Sequence, residues 1–138
     1  MPDDVLLHKT ATMERCLKRV REEYLGHKKE FSVNFTVQDS VILNLLRACE
    51  ASIDAAMHVV RIRRLSIPQD SRDAFSLLER VNVLPPELSR HMQAMVGFRN
   101  IAVHDYQKLN LSIVEAILNQ RLPDFEKFCG ILVVLSGE

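Results

Sequence analysis

The 138-residue chain has little of what builds loops and linkers: it contains only four glycines and five prolines. We find no internal repeat, no linker and no low-complexity tract, so we expect one domain over residues 1–138. At this length a chain can bury about two-thirds of its unfolded surface. The 18 basic and 18 acidic side chains cancel, which excludes a strongly basic nucleic-acid-binding protein but not a local basic patch.

Cysteine and long apolar runs are also scarce. The three cysteines, Cys16, Cys49 and Cys129, are odd in number and lie in apolar helical patterns, which indicates free thiols in a reducing compartment. The longest apolar run, Ile131 to Leu135, is too short to span a bilayer. The opening Met-Pro-Asp-Asp lacks the basic flank and apolar core of a signal peptide. We therefore expect a cytoplasmic protein without membrane contact.

What the chain does have is helical periodicity along most of its length. Apolar residues recur at spacings of three and four, and no pair of strands is evident, so we expect an all-α bundle of five to six helices. The first predicted helix runs from Val5 to Tyr24, and the second from Thr36 to about Arg64, with Thr36 as N-cap and Asp39 completing a capping box. A short third helix is capped by Asp70 or Ser71, and a fourth runs from about Glu87 to near His104. Asn110 caps the fifth helix, and Pro123 opens the sixth.

The second predicted helix is apolar over an unusually broad arc. One stripe includes Leu45 and Ile53, and a second includes Val41, Ala48 and Val59. An arc this broad predicts burial on two sides, against the helices of the chain itself and against another subunit.

A polar line also runs along this helix, and it has more than one interpretation. Its members recur at spacings of three and four: Arg47, Glu50, Asp54, His58 and Arg61. They could form a solvated face with Arg47–Glu50 and Asp54–His58 pairs. Alternatively, Glu50 or Asp54 could orient a cation on another helix. A metal site is a weaker alternative, because the Glu-x-x-His pairs of di-iron bundles are missing, and we expect no metal and no cofactor.

The stretch Arg99-Asn100-Ile101-Ala102-Val103-His104-Asp105-Tyr106 concentrates the reactive side chains. Arg99 continues an apolar helical stripe, where an unpaired guanidinium is costly, so it needs a carboxylate, a second subunit or a phosphate as partner. His104 is the side-chain type whose ordinary pKa suits proton transfer near neutrality. A permanent cation near a titratable imidazole suits cleavage of a phosphodiester.

This stretch, R-x4-H-x-Y, resembles the signature of HEPN-domain toxins of the HepT type. The resemblance extends upstream through Glu50 to His58, Pro68, Asp73 to Phe75, Leu84 to Leu88 and Met95 to Asn100. It implies a homodimeric helical HEPN fold and a metal-independent endoribonuclease toxin that cleaves tRNA or mRNA. It also implies a partner antitoxin, an MNT-type nucleotidyltransferase that attaches adenylyl groups to the signature tyrosine, here Tyr106.

We assign roles on that basis. His104 is the general base or acid, Arg99 binds the scissile phosphate, and Asn100 positions His104 or that phosphate. Tyr106 contacts RNA and is the residue that the antitoxin modifies, while Glu50 and Asp54 are supporting carboxylates. On a straight helix Arg99 and His104 point about 140° apart, so a twofold dimer that pairs two signatures is expected to complete the site. The alternative is a non-catalytic HEPN module that binds nucleotides or only dimerises.

Overall fold

The computed structural model describes residues 2–138, which form six α-helices and no strand. The helices are α1 (Asp4–Gly26), α2 (Phe35–Ile62), α3 (Ser71–Arg80), α4 (Pro86–His104), α5 (Leu111–Gln120) and α6 (Leu122–Ser136). Short 3-10 turns lie at Lys28–Glu30 and Tyr106–Lys108. The prediction of an all-α bundle of five to six helices is therefore confirmed.

Helix α2 is the centre of the bundle. It packs along α1 and also contacts α3, α4 and α6. Val41, Leu45, Ala48 and Val59 are fully buried by these neighbours. Four helices of the same chain therefore bury much of the broad apolar arc of α2, as predicted for one of its two sides. Burial of its other side against another subunit stays a prediction.

The start of α2 differs from the predicted one. Asn34, not Thr36, caps the helix, and its side-chain oxygen accepts a hydrogen bond from the backbone N–H of Val37 at 3.1 Å. Asparagine and threonine can both cap a helix, so the sequence alone did not separate them. The consequence is that Asp39 completes no capping box and its carboxylate is free to contact another element.

The end of α4 lies within the signature. The helix continues without a break through Arg99 to His104, and Asp105 leaves helical geometry with φ −152° and ψ 54°. Tyr106 then begins the 3-10 turn that leads to α5, where Asn110 caps the helix as predicted. Because α4 does not end between Arg99 and His104, their side chains keep the divergent directions of one continuous helix.

Two further features bear on the sequence predictions. The three cysteines are free and buried. None of the helices in residues 2–138 has the length and apolar character needed to cross a bilayer.

The central position of α2 leads to a stability prediction. Leu45→Ala empties a site that is 0% exposed and should lower the free energy of unfolding by roughly 2–5 kcal/mol. Leu43→Ala is the matched control, because Leu43 lies on the outer side of the same helix at 45% exposure and its truncation should cost much less. Urea unfolding at one protein concentration measures both. Equal losses for the two variants would contradict the placement of α2 at the centre.

Candidate active site

Arg99 is the best-anchored side chain of the signature. Oε1 of Glu50 on α2 lies 3.1 Å from Nε of Arg99, and this contact is an ion pair, since Nε makes no aligned hydrogen bond. One terminal nitrogen donates to Oδ1 of Asn100 at 3.1 Å, and the other donates to Oγ of Ser71 at 3.0 Å. The carboxylate partner that the apolar stripe requires is thus Glu50, and α2, α3 and α4 together orient the guanidinium.

These contacts leave part of the guanidinium available. An arginine carries five N–H donors, two of them on each terminal nitrogen. Within residues 2–138, Asn100 and Ser71 occupy one donor on each terminal nitrogen. One N–H therefore remains on each, enough donors for two oxygens of a phosphate.

His104, in contrast to Arg99, has no polar partner among the described residues. It is exposed at the C-terminal end of α4, and no residue among 2–138 forms a hydrogen bond or ion pair with its ring. Asn100, also exposed, contacts Arg99 rather than His104. In a single chain, the Arg99 guanidinium is thus held by three residues and the His104 ring by none. Helix α4 directs the two side chains away from each other.

Tyr106 contacts α2 at a second point. Its hydroxyl donates to Oδ1 of Asp39 at 2.6 Å, although the side chain is still 44% exposed. Partial burial, the hydrogen bond to Asp39 and the negative charge of that carboxylate raise the pKa of Tyr106 to about 12. All three effects disfavour the phenolate, so the phenol is held in its protonated form.

The polar line of α2 reaches to other helices instead of pairing within α2. Asp54 binds Nζ of Lys9 on α1 at 3.1 Å, and Nε2 of His58 lies 2.8 Å from Oδ2 of Asp3. Desolvation raises the pKa of Asp3, but the hydrogen bond to His58, backbone hydrogen bonds and the charge of His58 together outweigh it, so the pKa of Asp3 lies below its ordinary value. The predicted pairs Arg47–Glu50 and Asp54–His58 are not formed in the described chain. Of the two supporting carboxylates, Glu50 meets Arg99 and Asp54 does not.

A groove of about 710 Å³ runs between α1 and α2 beside this site. Its basic side chains are Lys9, Arg15, Arg19 and Arg47, and Glu50 lines it as well. Lys9 and Arg19 form salt bridges with nearby carboxylates, whereas Arg15 and Arg47 form none within residues 2–138. A local basic patch therefore exists in a chain whose formal net charge is zero.

The fold and the signature geometry agree with a known family. The ribonuclease HepT-like family model matches residues 13–131. This chain belongs to the ribonuclease HepT-like family. It is 50% identical over 130 residues to the mRNA nuclease HepT of Shewanella oneidensis, a match that covers 94% of this chain and 97% of that protein.

Solved structures give the same result for the HepT-like fold. The tri-AMPylated HEPN toxin of Shewanella oneidensis, in complex with its MNT antitoxin, matches with a TM-score of 0.89 and 50% identity over 94% of this chain and 97% of that one. A toxin–antitoxin crystal structure with AMP-PNP matches with a TM-score of 0.90 and 49% identity over 94% of this chain and 98% of that one. The predicted HEPN fold and family are confirmed.

Two residues of this HepT-like site were not predicted. Asp39 was interpreted as part of a capping box, and Ser71 only as an alternative helix cap. Asp39 is 67 positions from Tyr106 and Ser71 is 28 from Arg99, so no local spacing could have revealed either contact. Away from this site, His91 is largely buried beside Asp124, with Nδ1 at 3.2 Å from Oδ2.

The contact between Tyr106 and Asp39 can be tested by titration. In a Tyr24→Phe background Tyr106 is the single tyrosine, and its ultraviolet titration should show a pKa near 12. Adding Asp39→Asn removes the negative charge and should move that pKa down toward the ordinary tyrosine value of about 10. A Tyr106 that titrates at the ordinary value with Asp39 intact would show that the contact does not form.

Proposed function

We propose that this chain is the endoribonuclease toxin of a type II toxin–antitoxin system, and that it cleaves RNA without a metal ion. The proposal rests on the Arg99 guanidinium, which Glu50, Asn100 and Ser71 hold in place. One N–H remains on each of its terminal nitrogens, and the exposed His104 follows five residues later. Membership of the ribonuclease HepT-like family and the similarity to an mRNA nuclease support it. The chain acts in the cytoplasm as one helical domain over residues 1–138.

The chemistry needs few groups. The ribose 2′-hydroxyl attacks the neighbouring phosphorus, a base takes its proton, and an acid protonates the leaving 5′-oxygen. The imidazole of His104 serves as base or acid. Arg99 binds the scissile phosphate and neutralises the charge that builds on its oxygens in the transition state. Asn100, bonded to the Arg99 guanidinium, limits its rotation.

A homodimer completes this site. One chain supplies a single signature histidine, and continuous α4 geometry directs it away from Arg99 of the same chain. A twofold axis beside the two signatures brings Arg99 of one protomer opposite His104 of the partner subunit. The exposed Ile101 and Val103, at 43% and 49%, flank His104 and are the apolar surface that such a contact would bury.

The basic groove between α1 and α2 suits the RNA strand beyond the scissile phosphate. Arg15 and Arg47 are free to bind backbone phosphates, which carry most of the affinity in sequence-independent binding. Glu50 belongs both to this groove and to the Arg99 contact, so a strand in the groove leads directly to the reacting phosphate. This arrangement selects for single strands of tRNA or mRNA by backbone contacts rather than by base identity.

A cognate MNT-type nucleotidyltransferase antitoxin controls the RNA cleavage activity by adenylylating Tyr106. The structures of relatives contain a tri-AMPylated toxin with its MNT antitoxin, and Tyr106 is the exposed phenol of the signature. A phosphodiester anion attached there, two residues from His104, can occupy the position that Arg99 holds for the scissile phosphate. The covalently attached adenylyl group then keeps RNA out of the site.

The catalytic assignment is tested by substitution within the signature. His104→Ala should abolish RNA cleavage and growth inhibition while leaving helicity unchanged, because the exposed ring forms no hydrogen bond or ion pair among the described residues. Arg99→Lys should also fail, since a point charge does not replace the two parallel donors at a phosphate. Initial rates of RNA cleavage, with circular dichroism as the folding check, measure both effects.

His8→Ala is the matched control, because His8 is also an exposed helical histidine but lies on α1, outside the signature. It should cleave RNA at the parent rate. Cleavage by His104→Ala at the parent rate would refute the assignment and leave a HEPN module that binds nucleotides or dimerises without catalysis.

A further inference from the structure

We propose that Asp39 of the toxin is the general base that takes the phenolic proton of Tyr106 while the antitoxin transfers an adenylyl group to it. The inference rests on the proposed modification of Tyr106 and goes further, because it places a catalytic group for that reaction on the substrate protein itself. The toxin would thereby contribute to its own inactivation.

Asp39 lies where a general base for Tyr106 must lie. A general base must lie within hydrogen-bond reach of the proton that it removes, and Oδ1 of Asp39 already accepts the Tyr106 hydroxyl at 2.6 Å. Asp39 is exposed near the N-terminal end of α2, so it can pass the proton on to water. The other charged groups close by on the segment, Asp105 and Lys108, pair with each other at 3.5 Å.

The Tyr106 phenol also needs a base in order to react. With its pKa raised to about 12, Tyr106 is almost entirely protonated at neutral pH, with phenolate on the order of one part in 10⁵. The neutral phenol is a weak nucleophile, so attack and deprotonation must occur together. The carboxylate that raises the pKa in the resting state is the group placed to accept the proton in the transition state.

The step balances without a further reagent beyond the magnesium nucleoside triphosphate that the antitoxin binds. The phenolic oxygen of Tyr106 forms a bond to the α-phosphorus, and the bond from that phosphorus to the pyrophosphate oxygen breaks. The proton moves from the phenol to Asp39, and pyrophosphate leaves with the electron pair.

Asp39 also does not retain the product. The esterified oxygen of Tyr106 has lost its hydrogen and can no longer donate to the carboxylate. The new phosphodiester carries a negative charge, which Asp39 repels. The modified side chain is therefore released from α2, and Arg99 is the anchored cation of the signature that can receive it.

The test is the rate at which purified Asp39→Asn toxin is adenylylated by its nucleotidyltransferase with magnesium ATP, followed by intact-protein mass spectrometry. Asparagine keeps an oxygen that can accept the phenol but cannot take its proton. We expect kcat to fall on the order of 10²–10³-fold with little change in KM for the toxin. The rate of the variant should also rise about tenfold per pH unit, because only phenolate already present can react, whereas the parent rate should change little near neutrality.

Glu30→Gln is the matched control. It removes an exposed carboxylate that lies just before the N-terminal end of α2 and has no contact with Tyr106. This variant should be modified at the parent rate. Asp39→Asn toxin that is modified at the parent rate, with the parent pH profile, would overturn the inference while leaving the modification of Tyr106 intact. A loss that appears in KM, or that persists at alkaline pH, would make Asp39 a docking residue and also overturn it. If the parent toxin gained no adenylyl group on Tyr106, the proposed control itself would fail.

Discussion

The ion pair between Arg99 and Glu50 is the constraint on which the site depends. A guanidinium on the buried stripe of α4 needs a partner, and α2 provides one at 3.1 Å while Asn100 and Ser71 fix its rotation. Because Glu50 itself is about half exposed, the pair contributes little to stability by itself. In the proposed function its role is to present an oriented cation with free donors, which is what stabilising a developing phosphate charge requires.

A second contact gives α4 a defined direction along α2. Arg99 meets Glu50, and Tyr106, later in the chain, meets Asp39, which is earlier on α2, so the signature runs antiparallel to α2. Eleven residues of helix separate the two carboxylates, or roughly 16 Å. One carboxylate thus orients the Arg99 guanidinium, and the other holds the Tyr106 phenol. In the proposed function, the residue that binds substrate and the residue through which activity is controlled are therefore both held by α2.

The sequence predicted most of the fold because helical periodicity and end signals are local. The Asn110 cap and the end of α4 at His104 lie where the sequence predicted them. What could not be predicted depends on contacts between distant segments. The broad apolar arc of α2 gave no indication of which neighbours cover it, and Asp39 was equally compatible with a cap and with a bond to Tyr106. The family signature identified Arg99 and His104, but spacing alone could not tell whether Glu50 or Asp54 would meet the arginine.

We propose that Arg99 of one protomer acts with His104 of the partner subunit, and mixing two inactive variants is the sharpest test of that pairing. Arg99→Ala and His104→Ala chains are unfolded together, refolded as a mixture and assayed for RNA cleavage. Each mixed dimer would regain one complete site, so with random pairing the mixture should recover roughly a quarter of the parent activity. A mixture that stays as inactive as either variant alone, although mixed dimers have formed, would contradict the claim.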